Sequence, residues 1–175
     1  MKVNFSKARK MTIQDVPGLD PITVFLEDFA PGQGQITIVC WGEAWTHYWG
    51  AMGEKNDLMK FVSKCDNGYL MLKFMDRQDL SEFDLEGTQK FAKQQILEER
   101  RQGYIGKRQA RIKWNLINEC DNQQSEDWHG VFGENYWENF QTRPTHNAVW
   151  LDKILTVVKD VFKQTIEEQE AVTKV

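Results

Sequence analysis

Glu43, His47 and Cys65 are the side chains of this sequence whose types and spacing suit catalysis or metal binding. Glu43 and His47 lie four residues apart, so they share a face in a helix and in a strand alike. They would serve as an acid–base pair or as two metal ligands, with a third ligand from Cys40 or Cys65. A closed zinc site normally takes four ligands. We therefore keep a small enzyme at this site as an alternative, and expect neither a metal nor a cofactor.

The sequence motifs that mark common catalytic and nucleotide-binding sites are absent from the chain: it has no G-x-S-x-G, no H-E-x-x-H and no Walker loop. Gly32 and Gly34 begin a G-x-G, but Thr37 stands where a dinucleotide motif needs its third glycine. The three cysteines are far apart in sequence and form no C-x-x-C pair, which excludes a zinc ribbon and a thioredoxin-like motif. In a cytosolic protein we expect their thiols to be reduced and partly buried. These observations favour a protein without a catalytic role.

An aromatic cluster in the first third of the chain is the most distinctive feature. In a strand, Trp41, Trp45, His47 and Trp49 share one face, and Tyr48 takes the other. Tryptophans usually pack inward, but tryptophan and tyrosine are also the usual anchors of interfaces. Core packing and a recognition surface both stay open, as does a ligand pocket. With the aromatic residues of the polar segment 121–146, the candidate protein-binding residues are Trp45, His47, Tyr48, Trp49, Trp128, Tyr136 and Trp137.

A run of basic residues between positions 90 and 113 suggests a different function. Its second half contains Lys107, Arg108, Arg111 and Lys113, with aromatic residues interleaved. Such a surface can follow phosphates while aromatic rings stack on bases. A solvated helical face is the plainer interpretation, and no RNP1 sequence or zinc finger accompanies the run. Nucleic-acid binding through these four residues is therefore the second alternative.

The elements that must position these residues indicate an α+β fold. Alternating β-branched residues predict strands over 11–16, 22–29 and 35–41, with a hairpin around Pro31-Gly32 and an extended continuation over 42–53. We expect a small antiparallel sheet from the N-terminal third, packed against about four α-helices. The predicted helices begin at Asn56 or Asp57, near Tyr69, Ser81 and Lys107, and near Trp150 in the C-terminal segment, and a short helix is expected over 134–140.

Length and composition favour one domain spanning residues 1–175, with a C-terminal end that frays from Glu167. The 175 residues carry a net charge of −4, which disfavours indiscriminate nucleic-acid binding by the whole surface. No apolar run approaches the roughly 18 residues that a membrane span needs, and the N-terminus lacks the apolar segment of a signal peptide. We expect a cytoplasmic protein that does not bind membranes; whether it forms homo-oligomers stays open.

The segment Cys40–Gly53, followed by Cys65–Leu70, is similar to a segment of small accessory proteins of tailed bacteriophages and prophages. The resemblance covers about Ile36–Leu72, under a quarter of the chain. It implies a phage or prophage protein that works in the bacterial host's cytoplasm. Such proteins commonly bind and modulate host proteins, defence factors included. We therefore expect an accessory protein that binds and modulates or inhibits a host protein.

Overall fold

The computed structural model describes residues 1–3 and 7–173. The N-terminal part forms a four-stranded antiparallel sheet, in which strands that follow one another in sequence are neighbours. Its strands are β1 (Arg9–Ile13), β2 (Ile22–Ala30), β3 (Gln33–Cys40) and β4 (Glu43–Trp49). Burial alternates residue by residue over 22–27 of β2 and along β3, as it does when one face of a sheet lies on a core and the other faces solvent. The hairpin expected around Pro31-Gly32 is confirmed.

Helices cover one face of this sheet. Ile22, Val24, Ile36 and Ile38 on the inner face have no exposed surface. Helices α1 (Leu58–Lys64), α2 (Asn67–Phe74) and α3 (Arg77–Leu80) follow the sheet in sequence, and α7 (His146–Thr173) returns to pack against α1, α2 and α3. Leu151, Ile154, Leu155, Val158 and Phe162 form the buried face of α7. These apolar residues recur on one stripe of the helix, and the helix expected in the C-terminal segment is confirmed.

The segment between α3 and α7 forms a compact unit with its own core. Strands β5 (Ser81–Phe83) and β6 (Thr142–Pro144) pair at its two ends, and α4 (Leu85–Arg101), α5 (Lys107–Glu119), α6 (Asp127–Phe132) and a 3-10 helix (Tyr136–Asn139) lie between them. The buried residues of this core are Ala92, Ile96, Ile105, Ile117, Cys120, Trp128 and Val131.

The packing divides the chain into two compact units, residues 1–80 with 146–175 and residues 81–145. We call them unit 1 and unit 2. The predicted α+β class is confirmed, but the described residues form seven α-helices instead of about four. A single domain over 1–175 stays a prediction, because a division by packing does not show whether the units unfold together. Helix α7 continues to Thr173, and residues 174–175 of the end expected to fray lie outside the described range.

Two helix predictions differ from the structure. Ser81 was expected to begin a helix, but Ser81–Phe83 forms β5, and Asp84 caps α4 by accepting a hydrogen bond from the Gly87 N–H at 2.9 Å. Ser81–Phe83 forms a strand because it pairs with residues about 60 positions later, and the local sequence does not reveal this pairing. Helix α6 lies in the polar segment 121–146, where the sequence predicts no helix before position 134, and the short helix expected over 134–140 is the 3-10 helix.

Candidate functional site

Trp45 and Trp49 lie in the core of unit 1. Both side chains point to the inner face of β4 and are 9% and 6% exposed. The Trp45 ring meets the Trp150 ring of α7 edge to face, with ring centres 5.3 Å apart. The Trp49 ring is 5.6 Å from the ring of Phe61 on α1. These two tryptophans hold the sheet and helices together, and a partner protein does not reach them.

His47 lies between them on the same face and is half-buried. Its ring contacts the ring of Trp49 edge to face at 4.6 Å, and the ring of Phe74 lies 6.5 Å away. Burial lowers the pKa of His47 below its usual 6.5, and the positive charge of Lys73 lowers it further. These surroundings therefore favour the neutral form of the imidazole over the charged form.

The side chains proposed for an enzyme site do not assemble. Because β4 is a strand, Glu43 and His47 lie about 13 Å apart at about 3.3 Å per residue. Cys65 is the C-terminal cap of α1, and burial raises the pKa of its thiol, so the thiolate needed for nucleophilic attack is disfavoured. Over residues 1–3 and 7–173, no three histidine, cysteine, aspartate or glutamate side chains are grouped to hold a metal ion.

The outer face of the sheet carries an exposed aromatic pair. Tyr48 is 50% exposed, and its ring centre lies 6.0 Å from that of Phe29, which is 54% exposed. Thr37 and Thr46 share a hydrogen bond of 2.8 Å across β3 and β4 on the same face. Of the first-third residues predicted to bind a protein, Tyr48 is therefore the one that the structure places at the surface.

Trp41 occupies an unusual backbone position. Cys40 pairs with Glu43, so Trp41 and Gly42 alone form the turn between β3 and β4. Their φ angles are +48° and +86°, the values of the type I′ turn that favours asparagine, aspartate and glycine. A left-handed conformation costs a side chain such as tryptophan about 1–2 kcal/mol. The Trp41 side chain nevertheless stands 78% exposed.

Trp41 borders an open cavity of about 420 Å³ within unit 1. Loop residue Asp20, strand residue Glu43 and the α7 residues His146, Trp150 and Lys153 contribute to its wall. The α7 residues fall on one side of the helix because they are spaced three, four and seven apart. We call this site the Trp41 pocket, and its charged and aromatic members are Asp20, Trp41, Glu43, His146, Trp150 and Lys153.

The charged groups of the Trp41 pocket are unpaired. Across the described chain, Asp20, Glu43 and Lys153 form no salt bridge within 4.0 Å. The pocket thus combines two carboxylates, one ammonium group and two indoles on an open surface. It can accept an apolar group against the indoles and charged groups of either sign around them.

The aromatic candidates of unit 2 also differ in burial. Trp128 is fully buried, and its indole N–H donates a hydrogen bond to the Asn122 carbonyl at 2.8 Å. Tyr136 is half-buried and packs against Phe140. Trp137 is 56% exposed and is the member of this group that a partner can reach.

The four basic candidates lie on α5 but do not form one surface group. Lys107, Arg108 and Arg111 are exposed. Lys113 instead forms a salt bridge of 3.2 Å with Glu99, so its charge is already matched. A phosphate-binding surface on α5 would therefore use the first three residues and not Lys113.

The Trp41 pocket was not predicted, although one signal for it is present in the sequence. Two β-rich runs separated by Trp41-Gly42 match a two-residue hairpin, in which a glycine commonly takes the second turn position. Asp20, Trp150 and Lys153 come from distant parts of the chain, and no local pattern connects them.

A model described as a phage family matches residues 1–164. No curated protein and no solved structure matches the chain. No helix in the described part of the chain has the length and apolar character of a membrane span. The family match extends the resemblance first seen over Ile36–Leu72 to most of the sequence, and the chain belongs to this phage family.

Proposed function

We propose that this phage-family protein is a non-catalytic accessory protein that binds a bacterial host protein, and that the Trp41 pocket is the site of contact. The family match supports the phage part of the proposal. The host protein is the partner to which we commit, because a phage product works inside a bacterium and meets its proteins there. A defence factor is one class of such a partner.

The observation that carries the proposal is Trp41 itself. The residue keeps an unfavourable φ of +48° and gains little burial in return, since 78% of its side chain is exposed. Strained backbone positions of this kind concentrate at functional sites. Covering the indole with a partner would contribute about 3–5 kcal/mol to binding, before the costs of association. A binding role explains why a large aromatic residue occupies a turn position that suits asparagine or glycine.

The unpaired charges indicate the chemistry of the partner. A host segment that places an apolar side chain between Trp41 and Trp150 would bring its neighbours to Glu43 and Lys153. One basic and one acidic side chain would match these two groups. Such pairs form at the rim of an interface, where they contribute to partner selection and association rate.

A non-catalytic role is supported by the placement of the chemically active side chains. Glu43 and His47 are separated by the length of the strand, and the His47 ring is packed among aromatic rings. Burial raises the pKa values of Cys40, Cys65 and Cys120. A binding function needs none of these groups to react.

The test begins with capture of bacterial proteins by the tagged full-length chain from a nuclease-treated lysate. The protein retained in near-equal amount is then identified and purified, and its affinity is measured by titration calorimetry. Trp41→Gly is the main variant, because glycine suits the turn and keeps the hairpin. We expect it to weaken binding about 30-fold, the loss that corresponds to about 2 kcal/mol at an interface hot spot.

Trp137→Ala is the matched control, since Trp137 is another exposed tryptophan but lies outside the Trp41 pocket. It should leave the affinity unchanged, whereas Glu43→Gln and Lys153→Gln should each weaken binding several-fold. Full affinity in Trp41→Gly would refute the assignment of the pocket. Retention of no host protein would refute the proposed function as a whole.

A further inference from the structure

We propose that the bend between α4 and α5 binds single-stranded nucleic acid, an activity separate from host-protein binding at the Trp41 pocket. The surface concerned consists of exposed residues of one short segment of unit 2. We call it the bend patch, and its members are Arg101, Tyr104, Lys107, Arg108 and Arg111.

The bend patch is a local concentration of positive charge in an acidic protein. Residues 101–111 contain four arginine or lysine residues and no aspartate or glutamate, whereas the whole chain has a net charge of −4. The described residues provide no salt-bridge partner for any of the four cations. The nearby Glu99 is engaged by Lys113. The positive charge of the patch is therefore available to an external anion.

The three bend-patch cations of α5 lie on one side of the helix. Arg111 follows Lys107 by four residues and Arg108 by three, so the three side chains are neighbours on the helix surface. Lys107 and Arg108 occupy the first turn, which contains no acidic residue. The helix dipole disfavours cations at this end, so the folded chain alone does not benefit from them. An anionic partner would offset this cost.

Tyr104 provides an aromatic surface at a fixed position. Its side chain is 76% exposed, while its neighbour Ile105 is 8% exposed and packs in the core of unit 2. The guanidinium of Arg100 donates a hydrogen bond to the Ile105 carbonyl at 3.0 Å, and the Tyr104 N–H donates to the Glu99 carbonyl at 2.9 Å. The buried isoleucine and these two bonds hold the loop, so Tyr104 projects from a positioned backbone.

An exposed ring among unpaired cations is the combination that single strands use. Their phosphates pair with lysine and arginine, and an unpaired base stacks on an aromatic ring. A duplex keeps its bases stacked on each other, so it would use the cations but not the ring. An acidic protein surface would also use the cations without requiring a planar base for Tyr104. The exposed ring of Tyr104 therefore favours single-stranded nucleic acid over a duplex and over an acidic protein surface.

The test measures fluorescence anisotropy of labelled 20-nucleotide oligo-dT and oligo-rU with the full-length protein, over a series of salt concentrations. We expect binding at low salt. The double variant Arg108→Glu/Arg111→Glu should weaken it at least about tenfold and lower the salt dependence by about 0.7 per lost phosphate contact. Tyr104→Ala should weaken binding about fivefold or more without changing the salt slope.

The matched control is Lys55→Glu/Arg77→Glu, which changes the net charge equally at two exposed positions of unit 1. It should bind about tenfold more tightly than the Arg108/Arg111 variant. An equal loss in both would overturn the bend patch, because overall charge would then explain the binding. The proposal would be overturned if the protein bound neither oligonucleotide. It would also be overturned if the protein bound duplex DNA with equal affinity and Tyr104→Ala had no effect. Capture of an acidic protein through Arg108 and Arg111 without oligonucleotide binding would also overturn it.

This experiment is independent of the test of the Trp41 pocket. Trp41→Gly should leave oligonucleotide affinity unchanged, and Arg108→Glu/Arg111→Glu should leave affinity for the host protein unchanged. Failure of either proposal is therefore recognisable without reference to the other.

Discussion

The indole N–H of Trp49 donates a hydrogen bond to the Tyr69 hydroxyl at 3.0 Å. This bond joins the end of edge strand β4 to the first turn of α2, and it provides the buried indole with its polar partner. A tryptophan packed this deeply normally needs such a partner. The pair therefore fixes the position of α2 against the sheet.

Tyr69→Phe tests the importance of this bond. The ring stays, but the indole N–H of Trp49 loses its acceptor while it remains buried. We expect a loss of about 1–3 kcal/mol in the free energy of unfolding, the cost of an unsatisfied buried group. Urea denaturation measures it. Tyr48→Phe is the control because Tyr48 is exposed, and it should change stability by no more than about 0.5 kcal/mol.

The lowered pKa of His47 predicts that the free energy of unfolding depends on pH. Burial, together with the charge of Lys73, lowers the pKa of His47 in the folded chain below 6.5, so the unfolded chain binds this proton more readily. The contribution of His47 to stability is therefore fully present above about pH 6.5, and it is lost as the pH falls through the lowered folded-state pKa.

The measurement is urea denaturation of the wild type and of His47→Gln at about pH 7.5 and about pH 5. The wild type should lose more stability than the variant on acidification. His129→Gln replaces an exposed histidine of α6 and should retain the wild-type pH dependence. Identical pH dependence in His47→Gln and the wild type would contradict the assignment.

Trp41→Gly is expected to raise the stability of the folded chain while it weakens binding of the host protein. Glycine adopts a φ of +48° without steric cost, so the free energy of unfolding should increase by about 1 kcal/mol. Thermal and urea denaturation of the purified variant measure this change. Trp41→Ala is the informative control, because alanine removes the indole but keeps a Cβ at the strained position. A loss of stability in Trp41→Gly would mean that the exposed indole stabilises the folded chain.

Gly34 marks a close approach between the sheet and α1. A Cβ at this position would lie 2.8 Å from the Glu27 carbonyl oxygen and 2.8 Å from Leu58 Cδ1. Gly34→Ala should therefore destabilise the protein by about 1–3 kcal/mol, as overpacked substitutions do. At Gly50 the nearest atom would be the Tyr48 hydroxyl at 3.4 Å, an ordinary contact, so Gly50→Ala should cause no loss in the same denaturation experiment.

The parts of the fold that the sequence predicts are those governed by local periodicity. The alternation of apolar residues in β2 and β3 and the helical stripe of α7 are both visible without long-range information. The helix predicted to begin near Ser81 starts later, because Ser81 pairs with Pro144, a residue far along the chain. The inward orientation of Trp45 and Trp49 likewise depended on which helices cover the sheet.

The candidate sites show the same contrast between features set by local sequence and features set by long-range packing. The exposure of Lys107, Arg108 and Arg111 on α5 agrees with the helix predicted from local sequence, whereas the pairing of Lys113 with Glu99 needs the packing of α4 against α5. The Trp41 pocket collects Asp20, Glu43 and Trp150 from a loop, a strand and a helix. The pocket is apparent only from the backbone angle of Trp41, which composition does not reveal.

The length of the chain predicts one cooperative domain, whereas its two cores predict that unit 1 folds without unit 2, and excision of unit 2 distinguishes these outcomes. Ser81 pairs with Pro144, so the chain enters and leaves unit 2 at adjacent positions, and each unit has its own buried core. Replacement of residues 81–144 by a short glycine–serine linker should therefore leave residues 1–80 and 145–175 folded. Circular dichroism and a cooperative thermal transition would show it.

A partial deletion provides the control for this excision. Removal of residues 81–119 takes away α4 and α5 and leaves Trp128 without the helices whose buried residues surround it. That variant should expose the Trp128 indole, with a red-shifted emission and a loss of solubility, because a large apolar surface would meet water. If the complete excision behaved like the partial one, the stability of unit 1 would depend on unit 2, and the chain would be one cooperative domain despite its two cores.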